Sequence, residues 1–327
     1  MRTIFFKNNP KIIAVSSVGG PKESYGPLGE YIEVKAKEDT FGEKTFEKAE
    51  KKMLYTAIGN SIKNADKTIS DIDAVIAGDL LDQIISATFS ARSYDAGYLG
   101  VYNACATFTE AITVGATMVD GGYLNNVVCG TSSHFSSAER QYRYPLELGC
   151  TRPPQAQWTV TGAGACVIGN GEGPKIVSAT IGRVIDYGVT DVNNMGAAMA
   201  PAAADTLFTH FKETGKIPMD YDLIVSGDLG VLGAKILKDL IWQKGYDISK
   251  NHIDCGELVY TMNEKEYQGG SGAGCSSMVF CSYLYKKLRE KSLKNVLLMS
   301  TGALLSSLSS QQGESIPGIA HAVSIEN

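Results

Sequence analysis

The chain has no run of lysines and arginines, and its 30 basic residues are outnumbered by 35 acidic ones, for a formal charge of −5. A nucleic-acid groove needs clustered cations, so that class is excluded, and attraction to anionic lipid has no more support. No apolar stretch approaches the ~20 residues that cross a bilayer, because Gly, Ser and Thr interrupt each one; membrane association is expected to be peripheral. The opening Met1-Arg2-Thr3-Ile4-Phe5-Phe6 lacks the apolar core and small-residue cleavage site of a signal peptide, and neither an N-terminal Met-Gly nor a C-terminal CaaX lipidation motif is present. The seven cysteines show no CxxC or paired spacing, which predicts free thiols in a reducing compartment and leaves no legible zinc or other metal site.

What is present is an internal duplication. Asp71-Ile72-Asp73-Ala74-Val75-Ile76-Ala77-Gly78-Asp79-Leu80 returns as Asp220-Tyr221-Asp222-Leu223-Ile224-Val225-Ser226-Gly227-Asp228-Leu229, with five identities and β-branched residues at both strand centres. Downstream, Ala104-Cys105-Ala106 and Gly274-Cys275-Ser276 each open a helical stretch that ends before a strand beginning Asn126-Val127-Val128 or Asn295-Val296-Leu297. The 327 residues and 44% hydrophobic content suffice for one large α/β body. We expect two halves, 1–172 and 173–327, sharing one order of elements.

Periodicity fills in that order. Strands are predicted at 12–18, 72–78, 98–102, 126–131 and 164–169, then at 176–182, 222–227, 295–301 and 319–325. Helices are predicted at 44–63, from Cys105 to Gly121-Gly122, at about 197–213 and 231–244, and from Cys275. The segment from Ser132 to Thr161 reads as a long polar loop. The expected architecture is an α/β/α/β/α sandwich of five layers, with two sheets enclosing the paired cysteine helices.

Chemistry points to few places. A cysteine at a helix start has its thiolate favoured by the helix dipole, so Cys105, and Cys275 in the symmetric position, are candidate reactive or ligand-lining thiols; the alternative is a small buried apolar side chain. His134, Glu139, Arg140 and Arg143 cluster just past a strand's carboxyl end beside Phe135, Tyr142 and Tyr144, and a guanidinium fork suits a carboxylate ligand. An ordinary Arg–Glu network is the competing reading. Gly269-Gly270-Ser271-Gly272-Ala273-Gly274 lets backbone approach a ligand closely and brings Ser271 into the candidate set, but no Lys follows to make it a phosphate loop. His321, between two alanines of the last strand, is either pocket-lining or a buried histidine bonded to backbone.

A duplicated plan with a helix-initial cysteine resembles the thiolase and ketoacyl synthase superfamily, in which that cysteine is the acyl-accepting nucleophile. Longer strings, including Gly20-Pro21-Lys22-Glu23, Ala77-Gly78-Asp79-Leu80-Leu81, Ala138-Glu139-Arg140-Gln141-Tyr142-Arg143-Tyr144-Pro145 and Met199-Ala200-Pro201-Ala202-Ala203-Ala204-Asp205-Thr206, resemble the stage V sporulation protein AD family of endospore-forming bacteria. That resemblance implies a part in moving dipicolinic acid (pyridine-2,6-dicarboxylate); no cofactor is expected, and whether calcium accompanies the ligand is left open by the sequence. It also implies cytoplasmic synthesis, peripheral placement on the spore inner membrane through integral subunits, and a homodimer formed at the first-half sheet edge. The chain departs from the enzymes at the proton-transfer positions. The strand that would deliver a histidine ends Ser226-Gly227-Asp228, and Gly272-Ala273-Gly274-Cys275 stands where thiolases carry Gly-His-Pro, while a carboxylate at Asp228 disfavours a nearby thiolate. Two readings follow: a non-catalytic dipicolinate-binding subunit lined by Cys105, His134, Glu139, Arg140, Arg143, Ser271, Cys275 and His321, or a Cys105-dependent acyltransferase or condensing enzyme.

Overall fold

The first two aspartates of the duplicated segment make the same local contacts in both copies, which accounts for their identity. Asp71 accepts from the Thr68 N–H and Asp220 from the Ile217 N–H, both at 2.8 Å, closing one short turn in each half. Asp73 accepts from the N–H groups of Asn125 and Asn126 at 2.6 and 3.0 Å; Asp222 does so from Lys294 and Asn295 at 2.6 and 3.0 Å. Each aspartate thereby sets the register of the strand beside it. A Cβ at Gly78 would lie 2.1 Å from the Val101 carbonyl oxygen, and one at Gly227 would lie 2.9 Å from Ser300 Cα, so glycine is required at both.

The computed structural model describes residues 1–143, 145–149, 151–261 and 268–327. Tyr144, singled out from the sequence, and Cys150 lie outside the described residues. The first sheet runs Gly97–Gly100, Ala74–Gly78, Asn126–Ser133, Gly162–Gly169, Lys11–Gly19; the second repeats that order as His252–Asp254, Leu223–Ser226, Asn295–Ala303, Gly318–Glu326, Lys175–Thr180. The sheets meet where Lys11 faces Lys175. Outer helices Phe46–Asn64 and Ile85–Ala91 cover one sheet and Met195–Thr214 and Gly230–Trp242 the other, while Thr107–Asp120 and the helix beginning at Ala273 fill the middle layer. The five-layer expectation is met.

Strand alternation explains why the layers hold. In Asn126–Ser133, Val127 and Cys129 face the central core with Phe108, Ile112 and Val279, whereas Val128 faces the outer core with Met53, Leu54 and Ile58. Phe108 and Phe280, with ring centroids 5.9 Å apart, join the two central helices. The stretch read as a polar loop contains the helix Phe135–Tyr142, because His134 caps it by accepting the Ser136 N–H through Nδ1 at 3.1 Å. A histidine cap carries no strong sequence signal.

Glu23 is fully buried, accepting from the Tyr260 hydroxyl and from the Thr161 N–H at 3.0 Å, and burial raises its carboxyl from 4.5 to about 7. A raised carboxyl pKa means that the folded state holds the proton where the unfolded chain has lost it. Its stabilising contribution is present below pH ~4.5 and is lost as pH climbs through ~7. Glu23→Gln should therefore gain on the parent by roughly 2–3 kcal/mol between pH 5 and pH 8. Urea melts at the two pH values check this; equal pH dependence in both proteins would contradict it.

Candidate functional site

Asn103 to Thr107 form the turn that presents Cys105. Ala104 adopts φ +50°, and the Thr107 hydroxyl locks the turn by donating to the Ala104 carbonyl at 2.6 Å while accepting the Asn103 N–H at 3.0 Å. The helix begins only at Thr107, so the sulfur sits outside its first turn. A small cavity of about 40 Å³ opens beside it, lined by Cys105, Ser271, Glu139, Arg143, Tyr102 and Tyr142, with Leu80, Thr159, Met195 and Leu305 among the remaining walls.

Behind the sulfur stands a buried carboxylate. Asp228 accepts from the Ser271 hydroxyl at 2.8 Å and the Gly272 N–H at 3.0 Å on one oxygen, and from the Thr301 hydroxyl at 2.6 Å on the other. Because the Ser271 hydrogen is committed to Asp228, the Cys105 S–H is the donor in the 3.9 Å contact between Cys105 and Ser271. Burial pushes the Cys105 thiol well above its usual range, and the charge of Asp228 adds to the effect. Burial likewise raises the Asp228 carboxyl against its hydrogen bonds. The expectation that a helix start lowers the thiol pKa is thus corrected: desolvation and a neighbouring anion outweigh a dipole that begins two residues later.

The opposite wall carries positive charge. Glu139 Oε1 takes Arg143 at 2.8 Å, Arg152 at 2.5 Å and the Thr159 hydroxyl at 3.1 Å. Arg143 is only 5% exposed, and its guanidinium also reaches the Gln157 carbonyl at 3.4 Å. The Tyr142 hydroxyl, also on the wall, donates to the Leu80 carbonyl.

The structure therefore brings together Cys105, Ser271, Glu139 and Arg143, and leaves the other four candidates elsewhere. Arg140 is half-exposed and pairs with Glu47 on the outer surface. His134 spends both ring nitrogens on structure, with Nε2 donating to the Asp39 carbonyl at 2.8 Å. Cys275 lies inside the helix Ala273–Val279 and donates to the Gly227 carbonyl at 3.4 Å, so the two cysteines are not equivalent. His321 accepts the Gly182 N–H through Nδ1 at 3.1 Å, and burial lowers its pKa to about 4. Among the described residues no histidine lines the cavity.

Sequence reasoning missed Arg152, Thr159 and Tyr102. The first two lie within the segment read as a polar loop, and pairing Arg152 with Glu139 would have required knowing how that segment folds back.

A buried, protonated thiol should react slowly. At pH 8, iodoacetamide is expected to modify Cys105 in the folded protein more slowly than free cysteine, and at the ordinary rate once the chain is unfolded. Mass spectrometry of the peptide containing Cys105 reads both rates, and labelling of the folded protein faster than free cysteine would contradict the assigned shift.

Known proteins match this chain at two levels. Residues 1–326 match the family described as Stage V sporulation protein AD. Stage V sporulation protein AD of Bacillus subtilis (strain 168) is 42% identical over 326 residues, covering 99% of this chain and 96% of that protein. The fold is shared with 3-oxoacyl-[acyl-carrier-protein] synthase III from Aquifex aeolicus VF5 (TM-score 0.59, 14% identity, 97% of this chain and 100% of that one). It is shared as well with human mitochondrial 3-ketoacyl-CoA thiolase (TM-score 0.60, 13% identity, 99% of both chains).

Proposed function

The chain belongs to the stage V sporulation protein AD family, and on that premise we propose that it binds dipicolinate in the cavity beside Cys105, as a non-catalytic subunit of the spore's dipicolinate-moving complex. The observation that carries this reading is the pairing of a buried guanidinium, Arg143, with a thiol held protonated by burial and by the neighbouring Asp228, in a cavity lined by no histidine among the described residues. Such a wall attracts a carboxylate and offers little to move a proton.

At about 40 Å³ the cavity has room for about three water molecules, at ~10–15 Å³ each. A pyridine ring with two carboxylates is larger, so binding requires the Phe135–Tyr142 helix and Arg143 to shift. In that shift a ligand carboxylate replaces Glu139 on Arg143, while Arg152 and Thr159 keep Glu139 paired. Isothermal titration with dipicolinate, run with and without calcium at two temperatures, tests the proposal; saturable binding supports it, and none under any of these conditions overturns it.

A second reading, acyl transfer by Cys105, has one observation in its favour: the cysteine lines the cavity of a fold shared with condensing enzymes. Steady release of CoA from acyl-CoA at a rate abolished by Cys105→Ala would establish it.

Among the described residues no helix is long and apolar enough to cross a membrane. We place the chain on the spore inner membrane through integral subunits of the complex. Purified protein is expected to stay in the supernatant with bare phosphatidylglycerol liposomes at physiological salt and to sediment when those subunits are present. Sedimentation with bare liposomes would sink this placement. The edge strand Gly97–Gly100, paired through its backbone to Ala74–Gly78 alone, is the proposed homodimer contact, which sedimentation velocity can test.

A further inference from the structure

The duplication is imperfect on the outer faces, and the imperfection leaves a groove. In the second half, the 13-residue helix Gly230–Trp242 packs closely on Met195–Thr214, where a Cβ at Gly233 would lie 2.8 Å from Gly196 Cα. Its first-half counterpart, Ile85–Ala91, has only 7 residues, and between it and Phe46–Asn64 lies an open groove of about 690 Å³. Lys48, Lys51 and Tyr55 line it from one helix at helical spacing; Ile85, Phe89 and Arg92 line it from the other side. Tyr55, Ile85 and Phe89 are 40%, 39% and 39% exposed, so the groove presents an apolar strip to solvent.

Its charge is one-sided in a chain that is acidic overall. Of the two acids on its wall, Glu43 pairs with Lys52 at 3.3 Å and Glu47 with Arg140, which among the described residues leaves the charges of Lys48, Lys51 and Arg92 without a carboxylate. Lys51 and Arg92 instead lie over the rings of Tyr55 and Phe89, at 5.3 and 4.3 Å from the centroids, so cations flank the apolar strip.

We propose that this groove docks an amphipathic helix of a protein partner, with apolar side chains on Tyr55, Ile85 and Phe89 and acidic ones beside Lys48, Lys51 and Arg92. Two adjacent helices with a trough between them accept a third helix, and a concave trough does not fit a planar bilayer. The proposal is independent of dipicolinate binding.

The test uses a fluorescent, roughly 16-residue peptide with leucine and phenylalanine on one helical face and glutamate on the other, read by anisotropy against the full chain. Saturable binding is expected, weakened tenfold or more in Phe89→Ala and in the double variant Lys51→Glu, Arg92→Glu, and lost when the peptide's glutamates are replaced by lysines. Phe89 and Arg92 are exposed and Lys51 half-buried, so unchanged thermal melting keeps a folding defect out of the comparison. Equal affinity for the lysine peptide, insensitivity to both variants, or preferential binding of phosphatidylglycerol vesicles would overturn the proposal. So would a change in oligomeric state in the charge-reversed variant, which would assign the groove to a second copy of the chain.

Discussion

Arg143→Ala is expected to weaken dipicolinate binding by tenfold to a hundredfold, while Arg140→Ala leaves it within twofold of the parent. A hydrogen bond to a charged partner in a desolvated site is worth about 1.5–3 kcal/mol, and every 1.4 kcal/mol is a factor of ten in affinity. Arg143 is the arginine on the wall facing Cys105, whereas Arg140 meets Glu47 in solvent, where an ion pair contributes at most about 1 kcal/mol. The fold should tolerate Arg143→Ala, since Glu139 retains Arg152 and Thr159. Arg143→Lys separates charge from fork geometry: a lysine that restores less than a third of the lost free energy would indicate bidentate recognition. Calorimetric titration of the three variants decides the matter, and parental affinity in Arg143→Ala would remove the anion site from this wall.

How much of that contrast could be read beforehand depends on length scale. The duplication was legible because its identities serve contacts a few residues away or at a neighbouring strand end: Asp71 and Asp220 cap turns, and Asp73 and Asp222 hold strand starts. Helices and strands with strong periodicity followed, including Phe46–Asn64 against an expected 44–63 and Met195–Thr214 against 197–213. The site was only half legible, because its chemistry is assembled across the sequence. Ser271 meets Asp228 over 43 positions and Cys105 over 166, and no local pattern reports either meeting. Arg140 and Arg143 could not be separated while their segment read as a loop. Once Phe135–Tyr142 is a helix, Glu139 and Arg143 share a face four residues apart, and Arg140 turns about 100° from Glu139 toward solvent. His134 and His321 drew attention for their chemistry, yet both ring nitrogens of His134 and Nδ1 of His321 meet backbone.

The repeat also shows where the halves part. Asp79, the first-half equivalent of Asp228, accepts from Leu81 and Ala87 N–H at 2.7 Å each and so, among the described residues, binds its own loop and helix. Asp228 reaches Ser271, Gly272 and Thr301, and through Ser271 it touches the thiol. One aspartate supports the fold and its twin sets the electrostatics of the cavity.

Replacing that twin should have the largest effect on stability of any site substitution. Asp228→Ala leaves two hydroxyls and a backbone N–H buried without their acceptor, and a loss of roughly 3–5 kcal/mol is expected, on the scale of breaking a buried charged network. Asp228→Asn keeps the shape and one acceptor oxygen while removing the charge, so its cost should be about half as large. The two variants part at the sulfur. Without the anion the Cys105 thiolate is less disfavoured, so in Asp228→Asn its pKa falls relative to the parent and iodoacetamide labelling at pH 8 accelerates severalfold. Local loosening of the fold would also expose the cysteine, but it would speed labelling in proportion at every pH. Lowering the pKa shifts the pH–rate curve to lower pH and leaves the high-pH plateau in place. A curve displaced upward without a shift along the pH axis would mean that Asp228 holds the turn together and does not govern the charge state of Cys105.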